Sequence, residues 1–351
     1  MQNRIHPNQR ILVTGATGLL GSYLLRYLLH RGYTHIYALR QPESSMELLS
    51  PAVIGGVRWI EADILDLPAL EEAIKEAQWV FHCAGIISFD PMGARQMRQV
   101  NVEGTTNVVD LCLIHGVEKL LHVSSVAALG RTQPGQTISE SNKWERSPYN
   151  TRYGVSKFLG ELEVWRGMEE GLNAVVINPA IILGSGRWEE GPARFFRMLH
   201  RGFPFYPRGG TDLVDVRDVV RAMVELMESD ISHERFIVSG GHLSYKAFFE
   251  RIAFHLGTEV PRRTLSGFLQ EIAWRVAWFQ RLFNANPGLL SKETVRQSAH
   301  EYYYDNQKLR DRLSFHYTPL EQTIGEIAQD YIGSVGREHS VRVLPFQALN
   351  G

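Results

Sequence analysis

Little in this 351-residue sequence marks a secreted, membrane-spanning or nucleic-acid-binding protein. Only two cysteines are present, Cys83 and Cys112, and each lies inside an apolar run, WVFHCAG and VVDLCLIHG, rather than in a C-x-x-C or Cys/His cluster. That excludes a disulfide framework, and both read as buried free thiols of a reducing compartment. No run of about 18 uncharged apolar residues occurs, and the N-terminus reaches its glycines before any stretch that could act as a signal peptide. The expectation is a soluble cytoplasmic protein without stable membrane insertion. Neither sign of charge is in excess, since 37 basic side chains are interspersed with 38 acidic ones for a formal net charge of −1. With no basic stripe to neutralise a phosphate backbone, nucleic acid is excluded as a partner. Internal repeats and low-complexity segments are also missing.

What is present is a pattern. At ~100–200 residues per domain the length accommodates two domains, or one with a large insertion. Up to about residue 240, short β-branched runs alternate with stretches of helical period: Arg10–Thr14, His35–Leu39, Val57–Ile60, Trp79–Cys83, Lys119–Ser124, Ala174–Asn178 and Arg235–Val238. This predicts an α/β fold, a Rossmann-type doubly wound parallel sheet with helices on both faces. Between the runs, Leu20, Leu24, Leu25, Leu28 and Leu29 form one apolar stripe ending at Gly32, and Asp66 with Pro68 reads as a second helix start. Beyond residue 240 the segments Ser244–Leu256, Phe268–Phe283, Lys292–His300, Asn306–Leu313 and Leu320–Ile332 look helical, and the glycines and prolines of Leu183–Arg208 take that stretch out of the sheet.

The segment ILVTGATGLLGSYLL sets an apolar strand, then Gly15, Gly18 and Gly21, then an amphipathic helix. In that order the first two glycines let the chain turn and a pyrophosphate approach backbone N–H groups, and the third lets helix and strand pack closely. A dinucleotide-binding domain over residues 1–180 and 212–240 is therefore expected, with a smaller, mostly helical substrate-binding part over 181–211 and 241–351. The second strand ends in Arg40, with no Asp or Glu at that place. A carboxylate there would accept the ribose hydroxyls of NAD, whereas a guanidinium fork suits the 2′-phosphate of NADP, so NADP is favoured over NAD. Asp63 is placed to meet the adenine edge.

Tyr153 and Lys157 lie one turn apart in SPYNTRYGVSKFLGELEVW and share a helix face. A phenol of pKa ~10 is a poor acid–base catalyst at neutral pH, but a neighbouring ammonium favours the phenolate. Ser125, at the end of the strand KLLHVSS, adds a hydroxyl that can hold a substrate oxygen. His82 and Cys83, in a buried strand without an acid or second ligand nearby, read as packing residues, and no metal site is expected.

With TGATGLLG, SSVAALG and YGVSK together, the sequence resembles the extended short-chain dehydrogenase/reductase family, also called the NAD-dependent epimerase/dehydratase superfamily. The resemblance extends through FHCAG, VNVEGTTNVVDLC, INPAIILGSG and VDVRDVVRAM over almost the whole chain. It implies that Ser125 orients the substrate, Tyr153 donates or accepts the proton, and Lys157 binds ribose and tunes Tyr153. It further implies cofactor contacts at Thr17, Leu19, Leu20, Ile64, Ala84, Gly85, Asn101, Ser124, Asn178, Pro179 and Ile181, besides the glycines, Arg40 and Asp63. Ile86, Ile87, Phe89, Phe205 and Tyr206 are candidate pocket walls.

Departures from the family pattern separate its branches. Dehydratases carry an acidic pair after the catalytic serine or threonine, and here Val126 and Ala127 stand in its place. Nucleotide-sugar epimerases carry an arginine where this chain has Thr211, although Arg208 and Arg217 leave a displaced arginine open. The resemblance is nearest to the dihydroflavonol-reductase and 3β-hydroxysteroid-dehydrogenase-like branch. The expected activity is hydride transfer between a nicotinamide cofactor and a carbonyl or secondary alcohol on a small, fairly apolar molecule. An epimerase with tightly bound NAD and a non-catalytic dinucleotide sensor are the alternatives. The aromatic stretch with Phe268, Trp274, Trp278 and Phe279 reads first as a lid or core helix, and a homodimer is expected by analogy.

Overall fold

A computed structural model of the chain describes residues 8–88, 92–131, 135–264, 296–335 and 343–346. Every strand expected up to residue 240 forms: β1 Ile11–Thr14, β2 Ile36–Arg40, β3 Arg58–Glu61, β4 Trp79–His82, β5 Lys119–Val123, β6 Ala174–Pro179 and β7 Glu234–Val238. They build one 7-stranded parallel sheet in the spatial order β7-β6-β5-β4-β1-β2-β3. All of β1 is buried, with Ile11 and Val13 packed into the core on one face and Leu12 into the core on the other. Burial on both faces is the physical reason the strand reads as an unbroken apolar run. The winding reverses between β1 and β4, which opens a crevice beyond their C-terminal ends.

Helix α1, Leu19–His30, buries Tyr23, Leu24, Leu25 and Leu28, and the chain turns away through Gly32 at φ +83°. Helix α2, Leu67–Ile74, begins under Asp66, whose carboxylate accepts from the Ala69 amide at 3.3 Å. Helices α3, Gly104–Ile114, and α4, Arg152–Glu169, cover the face that carries Val80 and Leu120, through Val108, Val109, Val164 and Met168. The opposite face is covered by α1 and by α5, Val216–Glu228. One turn of π-helix, Gln99–Glu103, leads into α3 and contains Asn101. Such single π-turns sit often at functional sites.

A small second sheet lies beyond this one. Gly210–Asp215 runs parallel to Ile181–Leu183 and antiparallel to Gly241–Ser244. The sequence pattern expects helix only after residue 240, yet GHLS is a strand before helix α6, Tyr245–Leu256, begins with Ser244 as its cap. GHLS has no β-branched residue, so cross-strand pairing decides its conformation against its propensity. The stretch 183–208 does leave the large sheet: Phe205–Tyr206 pairs with Arg263–Thr264. Helix α7, Leu320–Ser334, completes this region. The expected aromatic helix at 268–283, residues 292–295 of the one expected at 292–300, and residue Phe89 fall outside the described residues, and of 296–300 only the first two are helical before the chain turns. Among the described residues no helix is long and apolar enough to cross a membrane.

Two glycines test the packing. A Cβ at Gly21 would stand 2.2 Å from the Gly15 carbonyl oxygen, whereas one at Gly55 would meet nothing within 4 Å. Gly21→Ala is expected to lower the melting temperature by several degrees, and Gly55→Ala to leave it unchanged or raised, by about the 0.4–1 kcal/mol such exchanges give in helices. Thermal unfolding of the two variants checks this.

Candidate active site

The crevice opens on the glycine turn. Gly15 holds φ +66°, and a Cβ there would stand 2.7 Å from the Ala84 nitrogen, so turn and β4 terminus meet backbone to backbone. Gly18 donates to the Gly15 carbonyl at 3.1 Å and caps α1 without a side chain, leaving the first amides of that helix for another acceptor. No acidic side chain occupies the first turn of α1, and a helix N-terminus of this kind attracts phosphate. Thr17 and Gly18 line a cleft of roughly 670 Å³ together with Ser44, Ser45 and Arg187. Leu19 packs under Gly184 and Gly186, while Leu20 lies against the core. The cradle thus fits a dinucleotide pyrophosphate: the helix N-terminus carries no side-chain cap and no acid, and Gly15 lets the turn close against the β4 terminus.

At the far end of β2, Arg40 is not alone. Its guanidinium pairs with Glu61, its register partner on β3, and Gln41 donates to Asp63 at 2.6 Å. Asp63 also accepts from the Leu65 amide at 2.9 Å. Counting along the chain from the glycines misses Glu61, because the carboxylate arrives across the sheet. Ile64 is buried where a Cβ of Gly104 would be, and its carbonyl accepts from Asn107.

The predicted catalytic side chains come together at the ends of β5 and α4. Ser125 caps the turn Val126–Leu129, its hydroxyl accepting from the Ala127 amide at 3.2 Å. Thr151 caps α4 by accepting from Gly154, which fixes the first turn that bears Tyr153. Burial pushes the Tyr153 phenol above its usual pKa, and its hydrogen bond with Ser125 opposes that. Lys157 is 6% exposed and donates to the Val123 carbonyl at 2.8 Å. Loss of water pushes its ammonium down to about 8, against the pull of Glu161. A Cβ at Gly85 would stand 3.4 Å from Lys157 Nζ and 3.3 Å from Asn101 Oδ1, so only glycine leaves this side of the ammonium open.

Two struts hold this geometry, and sequence reasoning missed both. The first is Glu161, one turn beyond Lys157 and 1% exposed. It accepts from Ser124 at 2.6 Å, Asn178 at 2.8 Å, Trp165 at 3.2 Å and Arg235 at 2.9 Å. Ser124 and Asn178, expected at the cofactor, turn these polar groups to Glu161, and Asn178 Nδ2 also donates to the Ser125 carbonyl. The spacing Tyr153, Lys157, Glu161 was the available signal. The second strut is His82. Thr105 spends its proton on the Asn101 carbonyl at 2.9 Å, so it must accept from His82 Nε2, leaving Nδ1 to accept from Thr14. Burial pushes His82 down to about 3, which keeps the ring neutral. Read from sequence as packing, His82 is fully buried and also ties the β1 terminus to the first turn of α3. Cys83 is half-buried, with its thiol pushed up to about 12 by burial.

Asn101 joins these parts: its side chain accepts from the Ile86 amide at 2.8 Å and donates to the Ile86 carbonyl and to Ser156. Ala84 donates to Thr14 at 3.2 Å. Pro179 closes β6 opposite Val238, and Ile181 lies in the small sheet opposite Leu213. Of the predicted walls, Ile87 is exposed and Phe205 half-buried in its short strand. Arg217 is fully engaged by Asp215, Glu326 and the Pro345 carbonyl.

Comparison with known proteins agrees with this geometry. Residues 11–239 match the model of the NAD dependent epimerase/dehydratase family. A dihydroflavonol 4-reductase-like protein of Synechocystis sp. is 28% identical over 327 residues, covering 90% of this chain and 92% of its own. Cinnamoyl-CoA reductase 1 of Petunia hybrida is 26% identical, covering 91% and 90%. Among solved structures, gox2253 superposes with a TM-score of 0.78 at 27% identity, over 94% of this chain and 99% of that one. UDP-glucose 4-epimerase of Thermotoga maritima shares the fold at a TM-score of 0.75 and 20% identity, over 93% and 99%. The chain belongs to the NAD dependent epimerase/dehydratase family and is an NAD(P)-dependent enzyme of the extended short-chain dehydrogenase/reductase type.

A buried lysine whose pKa falls on folding holds fewer protons than the unfolded chain between its two pKa values, so its contribution to stability rises with pH there. Lys157 is expected to give such a rise from about pH 8 toward the ordinary lysine range. Chemical denaturation across that range should show a steeper rise in the unliganded parent than in Lys157→Met, which is also expected to lose turnover.

Proposed function

We propose that this protein transfers hydride between NADP(H) and a carbonyl or secondary alcohol of a small molecule, with residues 181–211 and 241–351 forming the substrate side. The observation that carries the reading is the convergence of Ser125, Tyr153 and a desolvated Lys157 at one end of the switch-point crevice. The nicotinamide, when bound, supplies or accepts the hydride. In reduction, Tyr153 gives its proton to the oxygen that becomes an alkoxide, and Ser125 holds that oxygen by a hydrogen bond. Lys157 favours the phenolate left behind. The floor of Glu161, Ser124 and Asn178 keeps the lysine and Ser125 in register.

Further features favour reduction of a carbonyl over chemistry on a nucleotide sugar. Val126 and Ala127 can carry no proton for elimination of water, and Arg217, the arginine within the VDVRD motif, is occupied by two carboxylates. Reductases are among the relatives by name. Epimerase chemistry with retained NAD is the second reading, favoured by Glu61 on Arg40, a carboxylate that opposes a 2′-phosphate. Pairing of two copies through α3 and α4 is part of the proposal, supported by the exposed Ile114 and Leu162 on those helices.

Fluorescence titration with NADPH and NADH tests this reading. NADPH is expected to bind more tightly, Arg40→Ala to cost about tenfold or more of that preference, and Glu61→Gln to increase it. Tightly retained NAD without a preference for NADPH would move the assignment to an epimerase. Tyr153→Phe is expected to lower turnover by roughly 10²–10⁴-fold with NADPH affinity unchanged; activity surviving that change would sink the mechanism.

A further inference from the structure

Arg131 stands where the two catalytic segments meet. The turn that begins at Ser125 ends at Gly130, φ +79°, and the next amide, that of Arg131, donates to Asn150 Oδ1 at 2.8 Å just ahead of α4. Its guanidinium enters a cage of phenols. Nε donates to the Tyr304 hydroxyl at 3.2 Å, Cζ lies 4.5 Å from the centre of the Tyr302 ring, and Tyr245 is close enough to interact electrostatically. Tyr302 and Tyr304 are both buried.

No carboxylate accompanies this cation among the described residues. The contrast with Arg31, Arg217 and Arg235 is direct, because each of these deep arginines sits on an acid: Glu228, Asp215 and Glu161. The guanidinium is half-buried, and its N–H groups outnumber the one phenol oxygen that accepts from it among the described residues. Two more donors nearby are also unpartnered. The Tyr302 hydroxyl is buried without a hydrogen-bond partner, and so is Nε1 of Trp144, whose ring lies 3.2 Å from where a Cβ of Gly130 would be. Trp144 in turn stacks on Phe158 of α4 at 4.5 Å. Among the described residues the cluster offers these donors phenol oxygens and no carboxylate. Because Tyr302 covers the face of the guanidinium, what stays open is its edge, and the edge is the part that grips a planar oxyanion by two parallel bonds.

We propose that Arg131 is a specificity-determining residue that binds a carboxylate of the substrate, so that the carbonyl compound reduced is an oxo acid and the alcohol a hydroxy acid. This rests on the reductase reading for the chemistry, while the binding step stands apart from it.

The test uses the NADPH-loaded full chain and two pairs of probes. For turnover, 3-benzoylpropionate is compared with its methyl ester; for binding without reaction, 4-phenylbutanoate is compared with its amide. In the parent, the acid is expected to show a KM about 10–100-fold below that of the ester, and 4-phenylbutanoate to bind about as much more tightly than the amide. Arg131→Met should raise the KM of the acid to that of the ester, leaving kcat, ester kinetics and NADPH affinity as they were; Arg131→Lys should restore part of the preference. Arg131-dependent binding of 4-phenylbutanoate without turnover of either ketone would overturn the reductase reading and leave the carboxylate site standing. Equal binding of 4-phenylbutanoate and its amide to the parent, or an equal loss for acid and ester in Arg131→Met, would overturn the proposal itself.

Discussion

Lys157 carries its charge to a place that water hardly reaches, and the Val123 carbonyl, 2.8 Å away, receives it. Much of the surrounding construction follows from keeping that ammonium charged and aimed. Glu161 lies one helical turn further on and supplies the opposing charge, but its own burial must be balanced, and Arg235, Ser124, Asn178 and Trp165 do that together. A buried carboxylate with one donor missing is expensive, so the network is rigid by necessity. Because its members come from β5, α4, β6 and β7, the catalytic end of the sheet is cross-tied through a single carboxyl group. Gly85 matters for the opposite reason: a side chain there would crowd the ammonium from the crevice.

Much of the sheet was legible in the chain because its central strands β1, β4, β5 and β6 are buried on both faces and leave nothing for polar alternation to blur. Ile11, Leu12 and Val13 show this most plainly. The turn at Gly15, the Ser125–Tyr153 pair and the buried Lys157 could be anticipated as an arrangement because the roles proposed for them demand particular residue types at a particular spacing. What could not be read was anything arising across the fold. Glu61 reaches Arg40 through strand register, His82 reaches Thr105 from a different element, and Gly241–Ser244 becomes a strand only because Gly210–Asp215 lies beside it. Ser124 shows the same limit from the other side. Its neighbour in sequence faces the chemistry, while its own hydroxyl turns to Glu161, as expected of adjacent residues leaving a strand.

Charge placement also separates the two ends of the crevice. At the end of β2, where the proposed reading puts the dinucleotide ribose, the exposed pair of Arg40 and Glu61 is worth little in water and can be parted by a stronger anion. Arg131 is half-buried beside the Tyr302 ring and the Tyr304 hydroxyl and has no such companion among the described residues. One arginine is thus held in reserve by a neighbour it can leave, and the other is held by geometry alone.

The order of strands also shapes how the chain is made. Of the seven strands synthesis delivers β1 first, apolar but for Thr14, and α1 and β2 follow at once to cover one face and one edge. Its other edge belongs to β4, Trp79–His82, so α1, β2, β3 and α2 must all be added before that edge can close. Until then the nascent chain exposes an unpaired, uncharged strand directly preceding the glycine turn, and closing the loop to β4 carries an entropic cost that no local contact offsets. The centre of the finished sheet is therefore the part of the newborn chain most in need of shelter.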